Sequence, residues 1–457
     1  FFFMSSQHRI ASQSNLHSRS QSVEIPRSRS NREPVTAKQS TTVHVLKNTS
    51  YAASFSDRPT ILVPSVNPVS KPTDKSVPQD IIGVIQLANA GTWRAALRLA
   101  DQLSINLKDS APPHVLLQLS ALKIFICFKL SLFKSATEEL SRLGDLGDMS
   151  YQFESFPSIY PSLHGSFVPF SLRVLQAELP SYQGNSSLTI DSLYGLLSLC
   201  KEEITKCKEV QEKMSAQDGP ISITEVDELM GGALPLPNFL NPLQTEWDPD
   251  PALCLSDVSS WRKRYSWVQL QIVSHFVQQK EYSLALPLLE DVTKRYPNDA
   301  ALLSAYGRLF IQIGIISEAE TKFQAVESLS PPEQDKEAFD VLVEMNKGTL
   351  EVGKGNYKEA STHFANVLGA LPNHLPAANN QAVCLVYMCR LTKAIHLLED
   401  TIARDPANNL SEVIVQNLSC LYDLQSNSGG EKKANLMKLV AQYGSDSFDH
   451  SQLKRNP

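Results

Sequence analysis

Apolar residues begin to recur at helical spacing only after Gln79. Asp80 can cap a helix whose apolar positions are Ile81, Ile82, Ile85 and Leu87, with Gly91 ending it. A second helix carries Ala96, Leu97, Leu99, Ala100 and Leu103 after Trp93. Pro112-Pro113 opens another pair, Leu116 to Leu130 and Ser135 to Leu143. The stretch 144–166 is loop-like, with Gly144, Gly147, Pro157, Pro161 and Gly165, and a further helical pair is predicted around Phe167–Leu179 and Leu188–Met214. The prolines and glycines of 215–260, such as Leu234-Pro235-Leu236-Pro237, break the pattern again. Before Gln79 the text is Ser, Thr, Pro and Arg with too few apolar residues to offset ordering entropy. The chain thus divides into a tail expected to be disordered (1–78), an N-terminal helical region of degenerate repeat-like pairs (79–214), a Pro/Gly-rich linker (215–260) and a C-terminal array (261–457).

That array repeats itself. Ala285 and Ala319 stand 34 residues apart, as do Pro297 and Pro331, Ala360 and Ala394, and Pro372 and Pro406. A helix-turn-helix period of 34 residues is that of tetratricopeptide (TPR) repeats. The other positions follow: Ile272, Phe276 and Leu289 in the first unit, Tyr306, Gly307, Phe310 and Phe323 in the second, Gly348, Tyr357 and Phe364 in the third, Ala382, Leu385 and Leu398 in the fourth. Gly307, Gly348 and Ala382, facing the recurring alanines, let paired helices approach closely, while Phe and Leu fill the groove against the next unit. Gly314 and Gly355 permit the tight turn between helices. Seven extra residues between the second and third units fit at Pro331-Pro332-Glu333. A fifth, degenerate unit from Ser411 to Gln442, with Lys432, Lys433 and Lys438, reads as a polar cap. The predicted fold is all-α: a TPR-type helix-turn-helix solenoid, an alpha-alpha superhelix, with a disordered N-terminal tail.

Composition narrows what such a solenoid can do. The formal net charge of −6 argues against nucleic-acid binding by the whole chain, although residues 1–78 carry ten Lys/Arg against four Asp/Glu. Arg27-Ser28-Arg29-Ser30 is read as part of a solvated linker, and Arg262-Lys263-Arg264 as a solvated helix start. Seven scattered cysteines without a C-x-x-C pair, most of them in apolar helical patterns, fit free thiols in a reducing compartment rather than a zinc or redox site. The most apolar stretch, Leu122 to Phe133, is interrupted by Lys123 and Lys129 and is too short to span a bilayer. Phe1-Phe2-Phe3 is too short for a signal-peptide core, and Met4 reads as the start.

Catalytic and cofactor motifs are not readable. Gly353-Lys354-Gly355 lacks the phosphate-loop frame and serves as an inter-helix turn; His363 and His396 have no ligand spacing. No catalytic residue, cofactor or metal site is predicted, and no small-molecule substrate. TPR arrays bind proteins with the concave face of their first helices. The candidates there are Trp267, Leu270, Ser304, Arg308, Met345, Asn346, Asn379, Asn380 and Val383. Pro376 and Asn380 stand where chaperone-binding arrays carry basic clamp residues, which disfavours a chaperone co-factor.

Several stretches go beyond the generic repeat. They are Phe167-Val168-Pro169-Phe170-Ser171-Leu172-Arg173, then Asn379-Asn380-Gln381-Ala382-Val383-Cys384-Leu385, the run Val415 to Leu424, and Gly444-Ser445-Asp446-Ser447-Phe448. Together they resemble the subunit 12 family of the trafficking protein particle (TRAPP) complex over roughly residues 80–455. The resemblance implies a non-catalytic scaffold subunit of a TRAPP III-type assembly, which is a Rab nucleotide exchange factor in ER-to-Golgi transport and is linked to autophagy. It implies other TRAPP subunits as partners, the large ones foremost. It also implies a cytoplasmic location peripheral to the ER–Golgi intermediate compartment and Golgi, with membrane contact only through the complex. The alternative is a generic cytosolic TPR adaptor of a chaperone or ubiquitin-ligase complex. An enzyme carrying TPRs and an RNA-linked role through the Arg/Ser tail are the remaining readings.

Overall fold

The computed structural model describes residues 71–215 and 258–448, apart from 109, 162–164, 332–334 and 426–428. The expectations for most of the tail, for its Arg/Ser pairs and for nearly all of the 215–260 linker lie outside the described residues. Within them the chain is helical, and the sole β feature is an isolated bridge between Gln152 and Ser166.

Seventeen α-helices are described. The first six are α1 (Ile81–Asn89), α2 (Trp93–Asn106), α3 (Pro113–Lys129), α4 (Phe133–Leu143), α5 (Phe170–Tyr182) and α6 (Ser186–Ser215). Then come α7 (Val258–Gln278), α8 (Tyr282–Arg295), α9 (Ala300–Gln312), α10 (Ile316–Glu327), α11 (Lys336–Lys354) and α12 (Tyr357–Ala370). The last are α13 (Leu375–Tyr387), α14 (Leu391–Arg404), the one-turn α15 (Pro406–Asn409), α16 (Glu412–Leu424) and α17 (Gly429–Tyr443). Asp80 caps α1 as expected, its carboxylate accepting the Gly83 amide at 2.9 Å. Helix α5 starts at Phe170, later than the apolar pattern suggested, because Pro169 biases Val168 to extended backbone and occupies the N-cap.

One turn recurs along the stack. In seven hairpins the first helix ends on a residue with positive φ: Gly91, Ser131, Gly184, Lys280, Gly314, Gly355 and Cys389. The amide after each donates back to a carbonyl five residues earlier, from Thr92 to Leu87 at 3.0 Å and from Arg390 to Leu385 at 2.8 Å, the 6→1 bond of the Schellman motif. The N-terminal hairpins therefore turn the same way as the array, although their sequence carries little of the repeat signature.

Large and small residues interlock as the repeat requires, with one refinement. The space vacated at Gly307 is filled by the ring of Phe323, and that at Gly348 by the ring of Phe364, rather than by the facing alanines. The core runs through the whole stack. One cluster joins Phe170 and Val174 of α5 to Leu197 and Ile204 of α6, to Val268 and Ile272 of α7, and onward to Leu350 of α11, so it crosses from one side of the 215–260 segment to the other. A buried Glu178–His275 pair, 2.8 Å apart, ties α5 to α7 within it. After α4 the aromatic residues Phe153, Tyr160 and Phe167 form a plug, packed ring on ring at 5.0–6.5 Å beneath the second and third hairpins. Lys123, one of the two lysines that interrupt the apolar stretch, is buried between Asp101 at 2.9 Å and Glu139 at 2.8 Å.

The two ends of the stack meet. After α17 the chain turns at 444–448, and the Asp446 amide donates to the Gly91 carbonyl at 3.0 Å. Trp93 Nε1 donates to Ser445 Oγ at 3.0 Å, Ser445 Oγ donates to the Gly91 carbonyl at 3.1 Å, and the Arg94 amide donates to Asp446 Oδ2 at 3.2 Å. Lys71 Nζ donates to the Gly444 carbonyl. Phe448 is buried in the apolar cluster of the last two hairpins, which anchors the turn on its own side.

Candidate protein-binding face

The first helices of successive hairpins touch each other directly. Asn346 Nδ2 on α11 donates to Ser304 Oγ on α9 at 2.7 Å, and Asn417 Nδ2 on α16 donates to Asn379 Oδ1 on α13. Direct contact between neighbouring first helices places them on the short, inner side of a curved stack. The interlocking glycines and aromatics fix the spacing that brings these polar tips within reach.

The nine residues expected on this face separate into two groups. Ser304, Asn346 and Asn379 are buried and already hydrogen-bonded, so they join helices rather than wait for a ligand. Trp267, Leu270, Arg308, Met345, Asn380 and Val383 are half-buried. Of these, Trp267 and Leu270 lean on the large central cluster and Met345 on the cluster around Phe364. Burial also pulls the Arg308 guanidinium below its ordinary pKa. The inner face thus offers aromatic, aliphatic, amide and one cationic side chain, a set suited to polypeptide and without a nucleophile or a proton relay.

Some of the polar structure was not foreseen. Arg295, 3% exposed, donates to Ser266 Oγ at 2.6 Å, to Asp291 Oδ2 at 2.7 Å and to Gln269 Oε1, and lies 5.3 Å from the centre of the Tyr265 ring. A charged residue at the end of a second helix gives no sequence sign of burial. Asn417 could have been found by carrying the register of Asn379 into the fifth unit. Arg264, expected to be solvated, is half-buried with its guanidinium 4.3 Å from the Trp261 ring centre and 5.4 Å from that of Phe170. It fastens α7 to α5.

The weaker chemical suggestions resolve into structure. Lys354 pairs with Glu351 at 3.2 Å and Glu320 at 3.3 Å, and Gly355 is the turn residue. His363 Nδ1 lies 3.0 Å from Glu344 Oε2. Burial pushes the Glu344 carboxyl up, but its bonds to Asn366 and His363 outweigh that and hold it below the usual range. Among the described residues no group of His, Cys, Asp or Glu is arranged to hold a metal ion, and no helix is long and apolar enough to cross a membrane.

The tetratricopeptide-repeat family profile matches residues 270–333. Over 388 residues the chain is 31% identical to trafficking protein particle complex subunit 12 of Mus musculus, covering 83% of this chain and 45% of that protein. The Homo sapiens protein of the same name is 30% identical over 388 residues, covering 83% and 49%. The chain is a subunit-12-like TPR protein. It spans about half the length of the curated relatives it matches. Yeast Tom70 (14% identity, 82% of this chain and 86% of that chain, TM-score 0.31) and the APC/C Cut9–Hcn1 structure (12%, 81% and 81%, TM-score 0.30) align at levels that carry no argument about function. In the subunit-12-like chain the motifs behind the resemblance sit at structural joints. Phe167–Arg173 completes the aromatic plug, Asn379 and Asn417 join two first helices, and 444–448 joins the two ends.

Proposed function

We propose that this chain is a non-catalytic scaffold subunit of a TRAPP III-type vesicle-tethering complex. In that reading it serves an assembly acting as a Rab nucleotide exchange factor in ER-to-Golgi transport, with an involvement in autophagy, and other subunits form the exchange site. One observation carries the reading: the likeness to subunit 12 extends over 83% of the chain, far beyond the repeats that any TPR protein shares. The partners are other TRAPP subunits, large ones foremost, met through protein surface alone. The half-buried Trp267, Leu270, Arg308, Met345, Asn380 and Val383 are the proposed contact set on the inner face. The chain works in the cytoplasm, peripheral to the intermediate compartment and Golgi, and reaches membrane through the complex.

The test is affinity purification of the tagged chain from cytosol at moderate salt, with mass spectrometry of what stays bound. Stoichiometric TRAPP subunits are expected. Recovery of chaperones or a ubiquitin ligase instead would transfer the chain to the adaptor reading and leave the fold untouched.

A further inference from the structure

Each hairpin of this stack packs on its neighbours, and the first also meets the turn that follows the last. The hairpins therefore form a ring. Every other junction has an apolar cluster at its centre: five clusters of buried side chains link hairpin to hairpin along the chain. The closing junction is different. Clusters on its two sides, around Leu99 and around Leu418, remain separate, and hydrogen bonds cross between them. Its groups are half-buried at Ser445 and Asp446, so water competes for each bond, as it cannot in the apolar seams.

The fit is specific for the turn that fills it. Gly91 both supplies the positive φ of its own hairpin and leaves room for Ser445, whose Oγ would stand 3.1 Å from any Cβ placed there. Ser445 accepts from Trp93 and donates to Gly91, while Asp446 donates through its amide and accepts through its carboxylate. Four bonds reciprocate across two short segments, and Phe448 holds the turn from behind.

We propose that the stack is a gated ring: the 444–446 turn is a latch on the 91–94 edge, and its release admits a partner polypeptide to the inner face. While the latch is shut, the first helices line the interior of a closed ring that folded proteins cannot enter from the side. Release at the polar seam uncovers the Nε1 edge of buried Trp93 but separates no apolar cluster and leaves every hairpin folded.

The experiment uses the full chain with Cys254, Cys389 and Cys420 replaced by serine. A single reporter, Val383→Cys, sits one turn beyond Asn379 on the face that meets α16. Its reaction rates with a small maleimide and with a bulky polymer maleimide are compared with the latch intact and in Ser445→Ala/Asp446→Ala. The bulky-to-small rate ratio is expected to rise about tenfold in the double variant, with an unchanged circular-dichroism melt. An equal ratio in both overturns the gate. Trp93→Phe, which removes one donor from the opposite side, is the second variant should the first melt early. Hydrogen exchange of the Asp446 amide checks closure itself. Protection in the latched chain, lost at least tenfold in Trp93→Phe, is expected; exchange at the free-peptide rate in the latched chain overturns the ring.

Discussion

At Gly307 a methyl group has nowhere to go. An added Cβ would lie 2.4 Å from Phe323 Cε1, and at Gly348 2.6 Å from Phe364 Cε1, both inside packed cores. Gly307→Ala and Gly348→Ala should each lower stability by about 2 kcal/mol, the usual scale of overpacking, measured as a drop in urea midpoint. Thiols give a second residue-scale expectation. Burial pushes Cys127 and Cys384 up to about 11 and Cys200 to about 12. An unfolded thiol ionises near pH ~8.5. Folded values above unfolded ones mean stability that is complete below about pH 8.5 and lost as pH rises through the folded values. The melting temperature should therefore hold to about pH 8.5 and fall steadily toward pH ~11. At pH ~8 an aromatic disulfide reagent should label exposed Cys389 and Cys420 while sparing buried Cys127, Cys200, Cys207 and Cys384, resolved by peptide mass.

The hairpin turn shows which elements sequence could reveal and which it hid. Where glycine stands at the left-handed position, as at Gly314 and Gly355, the turn is legible. At Ser131, Lys280 and Cys389 the backbone adopts the same conformation with an ordinary side chain, so the sequence carries no mark of it. Left-handed backbone costs a non-glycine residue about 1–2 kcal/mol, and glycine costs roughly 0.5–1 kcal/mol in unfolded-state entropy. The difference decides the sign: Lys280→Gly should stabilise by about 0.5 kcal/mol, and Gly314→Ala should destabilise by about 1 kcal/mol, both read from chemical denaturation. The aromatic plug between α4 and α5 was illegible for another reason. Phe153, Tyr160 and Phe167 meet through a non-periodic path, and periodicity is the only signal that apolar spacing provides.

At the scale of the molecule, composition suggested separate N-terminal and C-terminal regions, while the core ignores that division. The long helices α6 and α7 pack along each other, with Leu197, Cys200 and Ile204 against the cluster that holds Val268 and Ile272. A fragment of residues 258–448 would expose this apolar face. It is expected to aggregate or melt well below the full chain, and to be rescued by co-expression with residues 71–215; an equally stable lone fragment would contradict the shared core. The inner face was half legible for a similar reason. Register picks out which positions lie on the inner side, but whether a polar residue there is free or already spent depends on its neighbour, as Ser304 and Asn346 illustrate.

The meeting of Gly91 with Ser445 also makes this chain count. An open solenoid tolerates one unit more or fewer, because its ends answer to nothing. Here duplication of a single hairpin would carry the 444–448 turn past its seat, and loss of one would leave it short. The number of repeats is then a property under geometric selection, like the number of strands in a barrel, and chain growth by repeat duplication is confined to the outside of the ring.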